Sequence, residues 1–476
     1  MTAKTLLTID ESSLPKGWKG LTLADVTGYI QRGKGPKYIE RSDLPVINQK
    51  CIRWFGIQKE HLKYVDPEQW SAWGEERYVR VGDVLWNSTG TGTIGRAALV
   101  KNLMAGEKYV VDSHVTIVRP RDIDPQYVHY WIMSPAVQGS IESMQSGSTN
   151  QVELSKSAVE ALPIPVAPPE QQKTIVAEIE KQFSCLDEAV ANLRRVRTNL
   201  KRYKASVLKA AVEGKLTENW RKQHLNVEPA SKLLERILAE RRAKWNGKGK
   251  YKEPGKPETS NLPPLPKHWT YAPIDSFLIE PMCNGISVKG SMIPPGVPAL
   301  RLNAMTETGF DYSKVRYIPI DAALAKELEV KTGDFFVSRG NGSLRLVGRG
   351  TVAQTPPRQC VFPDTMIRLR IAVAIGTSRW ISTIWSAELI RQQIEKRVKT
   401  TAGIWKISQP ELASILLPVP PEAEQHRIVA EVERHLSVIE ELEAAVEANL
   451  TRADRLRQSI LQHAFTGRMT SGAGVR

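Results

Sequence analysis

The chain contains 476 residues, 41% of them hydrophobic, and carries a formal net charge of +15 with a pI near 9.5. This length allows about two to four globular domains, and the charge favours an acidic partner, with nucleic acid ahead of a membrane surface. The four cysteines are scattered and no apolar run is long enough to cross a membrane. We therefore expect neither a disulfide framework nor a membrane span, and a cytoplasmic protein.

The first half of the chain predicts a β-rich domain. Residues 1–13 are a polar N-terminal segment, and residues 14–166 form the domain, which opens on Leu-Pro-Lys-Gly-Trp and closes on Leu-Pro-Ile-Pro. Inside it, a Gly-Asp pair at residues 82–83 precedes an apolar, β-prone run, as expected of a turn leading into a strand. One helix is expected late in the domain, at about residues 125–144.

A long helix follows within residues 167–217. Its apolar residues recur at steps of three and four, with proline at the start and glycine at the end, which indicates one continuous apolar stripe. At about 1.5 Å per residue this helix is too long to be buried in one domain, so it needs a partner of similar length. The predicted helix–helix packing positions are Ile175, Ile179, Phe183, Leu186, Leu193, Leu200, Tyr203 and Val207.

Residues 218–264 connect the two halves. A short helix is predicted at about residues 229–245, and it is followed by a stretch rich in Gly, Pro and Lys that cannot form a packed core. Because this stretch is also basic, a nucleic-acid arm is the alternative to a solvated, flexible linker.

The second half repeats the first at a nearly constant offset of about 250 residues. A second β-rich domain is predicted at residues 265–419, a second long helix at residues 420–468, and a tail at residues 469–476. The same Leu-Pro-x-x-Trp, Gly-Asp and Gly-Arg pairs recur in the same order. The predicted packing positions on the second helix are Ile428, Val432, Leu436, Ile439, Val446, Leu456 and Ile460.

Both long helices are acidic in their first part and basic in their last part. Antiparallel pairing places each acidic part beside a basic part, and a consistent pattern of weak ion pairs can set orientation. The predicted fold is therefore α+β, with two β-rich domains, each followed by a long α-helix, and the helices pairing as an antiparallel coiled coil with a pseudo-twofold internal repeat. Such a helix pair acts as a ruler between two separated half-sites.

Sequence motifs for catalysis are missing. Residues 90–95 match GxGxxG, but another strand-like run follows instead of a helix, and the equivalent loop in the second half loses the spacing. Phosphate loops, HExxH pairs and the Asn/Asp-Pro-Pro-aromatic tetrad of amino-methyltransferases are not found. We predict no catalytic, cofactor-binding or metal-binding residues.

Taken together, these motifs resemble the specificity subunits of Type I restriction-modification enzymes. The resemblance covers nearly the whole chain and rests on the duplicated order of Leu-Pro-x-x-Trp, Gly-Asp, Leu-Pro-Ile-Pro and Pro-Pro-Glu-Gln-Gln, although the second helix opens on Pro-Pro-Glu-Ala-Glu-Gln. It implies two target-recognition domains that each read one half of a bipartite double-stranded DNA target in phage defence. It also implies two modification (methyltransferase) subunits on the long helices, restriction/translocase subunits in the full complex, and S-adenosylmethionine, ATP and Mg²⁺ in those partners only.

The candidate DNA-binding residues are polar or basic residues in the glycine-rich loops and nearby turns, because Arg and Asn can bond base edges while Ser, Thr and Lys more often hold phosphates. For each, the alternative is an ordinary surface-loop residue. They are Arg32, Lys34, Lys37, Asn87, Thr89, Thr91, Thr93, Arg96, Ser148, Asn150, Gln151, Ser338, Arg339, Asn341, Arg345, Arg349, Lys399 and Lys406.

Two other functions remain open from the sequence. The first is a nuclease or methyltransferase fused to recognition domains, since nuclease motifs are degenerate enough to be missed. The second is a structural coiled-coil tether whose domains bind protein, which predicts no salt-dependent affinity for DNA.

Overall fold

The computed structural model describes residues 7–90, 92–103, 106–146, 152–245, 251–371, 377–401 and 403–469. It divides into two compact units. The first unit holds the described residues up to Arg195 together with those from Val446 onward, and the second holds Val196–Ala445. Each unit therefore combines one β-rich domain with a part of both long helices.

The first unit contains short strands and three short helices before the first long helix. Two four-stranded sheets, β10-β4-β7-β3 and β2-β11-β8-β9, carry most of the domain, and the pairs β1-β14, β12-β13 and β5-β6 complete it. The strands are β1 (Lys19–Thr22), β2 (Thr27–Arg32), β3 (Tyr38–Ile39), β4 (Pro45–Ile47), β5 (Ile52–Arg53), β6 (Gly56–Ile57), β7 (Lys63–Val65), β8 (Val84–Asn87), β9 (Ala97–Leu99), β10 (Val110–Val111), β11 (Val115–Pro120), β12 (Gln145–Ser146), β13 (Glu153–Leu154) and β14 (Pro163–Val166). The helices are α1 (Pro125–Met133), α2 (Pro135–Met144), α3 (Lys156–Glu160) and the 44-residue α4 (Pro169–Val212).

Two small helices of the connector, α5 (Glu218–Gln223) and α6 (Ala230–Lys244), lead into the second domain. Its sheets are β16-β22-β19-β21, β20-β24-β23 and the pairs β15-β25 and β17-β18. The strands are β15 (Thr270–Pro273), β16 (Cys283–Asn284), β17 (Val297–Leu300), β18 (Val315–Ile318), β19 (Phe335–Ser338), β20 (Gly340–Asn341), β21 (Gly350–Val352), β22 (Met366–Leu369), β23 (Lys399–Thr401), β24 (Ile404–Lys406) and β25 (Leu416–Val419). The helices are α7 (Ala322–Glu327), α8 (Thr377–Ile384), α9 (Glu388–Arg397), α10 (Gln409–Ala413) and the 43-residue α11 (Glu422–Ala464).

The repeated Gly-Asp pair has a structural role in each domain. Asp83 is fully buried and accepts a hydrogen bond from Arg119 Nε at 2.7 Å, and Asp334 accepts one from Arg370 Nε at 2.8 Å. Each aspartate also caps its own turn by accepting a backbone N–H three residues earlier in the chain. A buried carboxylate needs such partners, so the two repeats retain the same aspartate and arginine.

The repeated tryptophan ties each domain to the start of a long helix. The Trp18 indole donates to Gln171 Oε1 at 2.9 Å in the first unit, and the Trp269 indole donates to Glu424 Oε2 at 2.8 Å in the second. These bonds fix the direction in which α4 and α11 leave their domains.

The long helices pack together in both units. In the first unit, Ile179 and Phe183 of α4 share an apolar core with Ile460 of α11, and in the second unit Val207 of α4 shares a core with Val432 of α11. The start of each helix therefore lies beside the end of the other. The predicted α+β fold with antiparallel long helices is confirmed.

Two of the predicted packing positions are about half exposed. Tyr203 is 45% exposed and Leu456 is 49% exposed. The Tyr203 hydroxyl still forms a 2.9 Å hydrogen bond with His435 Nδ1 on the neighbouring helix. In the last turns of α11 the buried face is built from Ala453 and Arg457 instead, which leaves Leu456 beside it on the surface.

The connector helix α6 belongs to the core of the second unit. Leu233 and Ile237 are buried among the side chains of that core, and Arg241, only 2% exposed, forms a 3.1 Å ion pair with Asp275. The predicted helix at 229–245 is thus present with nearly the expected bounds.

Candidate nucleic-acid interface

In the second domain, the glycine-rich loop after β19 joins a three-stranded ribbon. Strand β20 pairs with β24, which pairs with β23, so that Gly340 lies opposite Lys406 and Asn341 lies opposite Trp405. Lys399 also lies opposite Lys406 across the ribbon. Three predicted residues, Asn341, Lys399 and Lys406, are thereby brought onto one small sheet.

The ribbon presents cationic side chains to solvent. The Lys399 side chain is 82% exposed and pairs with Glu411 at 2.8 Å, and the Lys406 side chain is exposed. The Asn341 Oδ1 atom accepts the backbone N–H of Ser343 at 3.0 Å, which stabilises the turn that carries the exposed Arg345. Phosphates and base edges are chemically suited to such a surface.

The remaining predicted residues of this loop hold its frame. The Arg339 guanidinium donates to the carbonyl oxygen of Asp364 at 3.3 Å, and Arg349 is half-buried. Ser338 is 3% exposed, and its hydroxyl has no hydrogen-bond partner. Arg391, which was not predicted, clamps the loop from α9 by donating to the carbonyl oxygens of Leu344 and Val347.

In the first domain, the loop after β8 likewise joins a β-hairpin, formed by β12 and β13. Thr89 forms a bridge with Glu153 on β13, and Arg32 forms a 2.9 Å ion pair with Glu153. The backbone of Ser88 bonds to His114 and Leu154, just as the backbone of the repeat-equivalent Arg339 bonds to Thr365 and Ile407. Four predicted residues of this region, Thr91, Ser148, Asn150 and Gln151, lie outside the described residues.

Hydrogen bonds within the loop at residues 88–96 engage several predicted side chains. Thr93 Oγ1 donates to Gln49 Oε1 at 3.0 Å, and Arg96 Nη2 donates to the Gly92 carbonyl oxygen at 2.7 Å. Thr89 Oγ1 lies 2.5 Å from His114 Nδ1. These contacts define the loop shape while leaving Thr89, Thr93 and Arg96 only partly buried.

Asn87 is fully buried at the end of β8, where its Nδ2 donates to the Gln49 carbonyl oxygen at 3.1 Å. Its Oδ1 atom has no hydrogen-bond partner. Asn87 and Ser338 occupy equivalent positions in the repeat, so each loop begins at a buried polar atom that remains unpaired. In this conformation both residues support the loop rather than present a side chain to solvent.

Lys34 and Lys37 lie on the segment between β2 and β3. Lys37 forms a 2.7 Å ion pair with Asp66, which raises the pKa of Lys37, and the Lys34 ammonium lies 6.0 Å from the Trp73 ring centroid. Both lysines are exposed. They lie in a loop and are not part of the β12-β13 hairpin.

Ile404 and Trp405 of the ribbon lie within the predicted stretch from Lys399 to Lys406, although neither was chosen individually. Ile404 is 45% exposed and Trp405 is partly buried. An aromatic residue beside lysine in a short, turn-flanked segment is a weak signal for nucleic acid, because base stacking on aromatic rings and phosphate contacts act together.

Among the described residues we also looked for metal sites and membrane-spanning helices. No cluster of three or more His, Cys, Asp or Glu residues there could hold a metal ion. Among those residues, no helix is both long and apolar enough to span a membrane.

Comparison with known proteins gives the class. Residues 15–189 match the Type I restriction modification DNA specificity domain. The chain is 26% identical to the EcoKI specificity subunit of Escherichia coli K12, over 75% of this chain and 68% of that one. It is 23% identical to the StySPI specificity subunit of Salmonella potsdam, over 97% and 91% of the two chains.

Two solved structures share the fold. A chain from a study of complex assembly and conformational transition of the type I R-M system superposes with a TM-score of 0.63, and the HsdS subunit of Thermoanaerobacter tengcongensis with 0.50. Each is 17% identical and covers 95% of this chain and 98% of its own. The matched domain is a DNA specificity domain, and both relatives are named as specificity subunits. The chain is similar to the specificity subunits of Type I restriction-modification enzymes.

Proposed function

We propose that this protein reads a bipartite double-stranded DNA sequence, with one half-site for each recognition domain. The observation that carries the proposal is the duplicated junction of glycine-rich loop and β-hairpin, which gathers Asn341, Lys399 and Lys406 in one domain and Thr89 and Arg32 in the other. The two loops share backbone hydrogen bonds but differ in side chains, as expected of two domains that recognise different DNA sequences with the same fold.

Within each junction we assign different tasks to different residues. Asn341 and Arg345 are placed to contact base edges, since both side-chain types form bidentate bonds with bases. Lys399 and Lys406 are placed to contact phosphates, which supply affinity without sequence information. In the first domain we assign base contacts to Arg96 and phosphate contacts to Thr93. The net charge of +15 supports association with a polyanion.

The long helices are proposed to dock partner subunits. Both helices expose large apolar side chains, which are the residue type that interaction sites gather on a protein surface. We propose that two modification (methyltransferase) subunits bind there, that restriction/translocase subunits complete the complex, and that S-adenosylmethionine, ATP and Mg²⁺ act in those partners. The residues concerned are Val196, Tyr203, Val438, Leu442 and Leu456.

Gel-shift competition with the assembled modification complex tests the proposal. We expect a duplex carrying the target to compete far better than a scrambled duplex, and expect affinity to fall steeply with salt. Replacing Lys406 with Ala should weaken binding to all duplexes and reduce the salt slope by about one, whereas Asn341→Ala should relax discrimination in one half-site. Indifference of the assembled complex to DNA sequence would refute the proposal.

A further inference from the structure

A cavity of about 610 Å³ opens in the first unit between the recognition domain and α4. Several aromatic side chains line it together with aliphatic ones, and α4 contributes residues from two successive turns. The residues that define it are Trp54, Phe55, Tyr109, Tyr130, Phe183 and Ser184.

The lysine side chains that line the cavity form ion pairs with neighbouring carboxylates. Lys59 pairs with Glu107 at 3.4 Å and Lys101 pairs with Glu180 at 3.7 Å. His129 lies fully buried in the wall, with one ring nitrogen 3.2 Å from the Ala97 carbonyl oxygen and the other 3.1 Å from an amide nitrogen. With these polar groups already engaged, the cavity suits an uncharged, apolar group.

Two residues at the rim of the cavity, Phe55 and Arg457, have unusual surroundings. Phe55 projects from the β5-β6 turn with 67% of its surface exposed, which is unusual for an aromatic side chain. The Arg457 guanidinium lies between Phe55 and Phe183, 4.6 Å and 4.7 Å from their ring centroids, and its Nη2 bonds to Asp187. Arg457 Nη1 is buried without a hydrogen-bond partner, so one donor near this rim is still unpaired.

The second unit differs from the first at one residue of the cavity wall. Glu433 is the repeat counterpart of Glu180, and it forms a two-pronged ion pair with Arg379 at 2.8 Å and 2.7 Å. A void of only about 50 Å³ lies beside these two residues. Glu180 instead pairs with Lys101 at 3.7 Å and leaves this side of the first-unit cavity open.

We propose that this cavity receives a protruding aromatic or large aliphatic side chain of a partner subunit that docks along α4. The inference rests on the proposed docking of partners on the long helices, because Ser184 and Asp187 are exposed on α4, one of these helices, and line the cavity. The two ends of the pseudo-symmetric subunit would then bind their partners unequally.

The test uses the full-length chain and its purified modification subunit, with the dissociation constant measured by sedimentation. Phe55→Ala should weaken association roughly tenfold to a hundredfold, since one large side chain loses its burial. Ser184→Trp should weaken it similarly by filling the cavity from α4. Ile293→Ala, which removes an exposed apolar side chain of the second unit, is the matched control expected to bind like wild type.

The outcomes separate this inference from the function that it rests on. A wild-type chain that binds no modification subunit would overturn both. If wild type assembles and Phe55→Ala and Ser184→Trp assemble equally well, only the cavity proposal is overturned. A photoreactive p-benzoylphenylalanine in place of Phe55 should cross-link to the modification subunit, and cross-linking only to a second copy of this chain would also overturn it. Unchanged thermal midpoints of the free variants exclude misfolding.

Discussion

Glu424, at the start of α11, is a fully buried carboxylate whose partners come from the connector and the second domain. Its oxygens accept hydrogen bonds from Thr217 Oγ1 at 2.6 Å, Arg221 Nη1 at 2.5 Å and the Trp269 indole at 2.8 Å. The repeat-equivalent residue in the first unit is the neutral Gln171, whose side-chain oxygen accepts a hydrogen bond from the indole of Trp18. We predict that Arg221→Ala strongly destabilises the second unit.

The magnitude follows from the burial of the ion pair. Removing one partner of a buried pair leaves an uncompensated charge and costs about 3–5 kcal/mol. Thr217 and Trp269 still donate to Glu424 in the variant, so we expect the lower end of that range, about 3 kcal/mol. Glu424→Gln should cost less, about 1 kcal/mol, because Arg221 remains 19% exposed and can be solvated.

Urea unfolding followed by tryptophan fluorescence measures these costs, with Trp269 inside the perturbed site. In the double variant Arg221→Ala/Glu424→Gln the neutral amide no longer needs the cation, so we expect recovery of about 2 kcal/mol relative to Arg221→Ala. A double variant as unstable as Arg221→Ala would show that the charge is not the cause. A cost below about 1 kcal/mol for Arg221→Ala would contradict the reasoning at its first step.

Three further predictions concern the other parts of the fold. Burial lowers the pKa of His129 to about 4, so between about pH 4 and 6.5 this histidine binds a proton in the unfolded chain but not in the folded one. The free energy of unfolding of the first unit should therefore be highest above about pH 6.5 and fall by roughly 3 kcal/mol toward pH 4. His129→Gln should flatten that pH dependence in unfolding titrations. Gly348→Ala should lower the thermal midpoint, because a Cβ at this positive-φ residue would lie 2.5 Å from Ile394, whereas Gly342→Ala, which meets no atom within 4 Å, should not. Inserting helical segments of equal length in the middle of α4 and α11 should change the preferred spacer between the half-sites without changing either half-site, and methylation mapping would measure both. Altered half-sites would contradict the interpretation of the helix pair as a ruler for the spacer.

The duplicated frame could be predicted from sequence because it depends on turns and caps. Trp18, the Gly-Asp turns and the proline-started helices are local signals, and their constant offset identified two units of one fold. The helix stripe was also visible, but an α-helix that serves more than one neighbour has no single buried face, so Tyr203 and Leu456 could not be told from core positions.

The site was only partly predictable. Asn341, Lys399 and Lys406 were chosen for their chemistry, yet the ribbon that unites them consists of strands of two or three residues, which are too short to show a periodic pattern. Strand β20 also lies far in the sequence from its partner β24. The role of Glu424 was hidden for a different reason. Its partner Arg221 lies in the connector, the part of the chain that has no repeat in the described residues.

Mapping methylated sites across the genome of cells that carry the complete system tests the central claim most directly. Wild type should methylate one motif made of two half-sites separated by a spacer of fixed length. Variants Asn341→Ala and Arg345→Ala should relax or shift the half-site read by the second domain and leave the other half-site and the spacer unchanged. A continuous motif, or changes in both half-sites from these single-domain variants, would contradict the account.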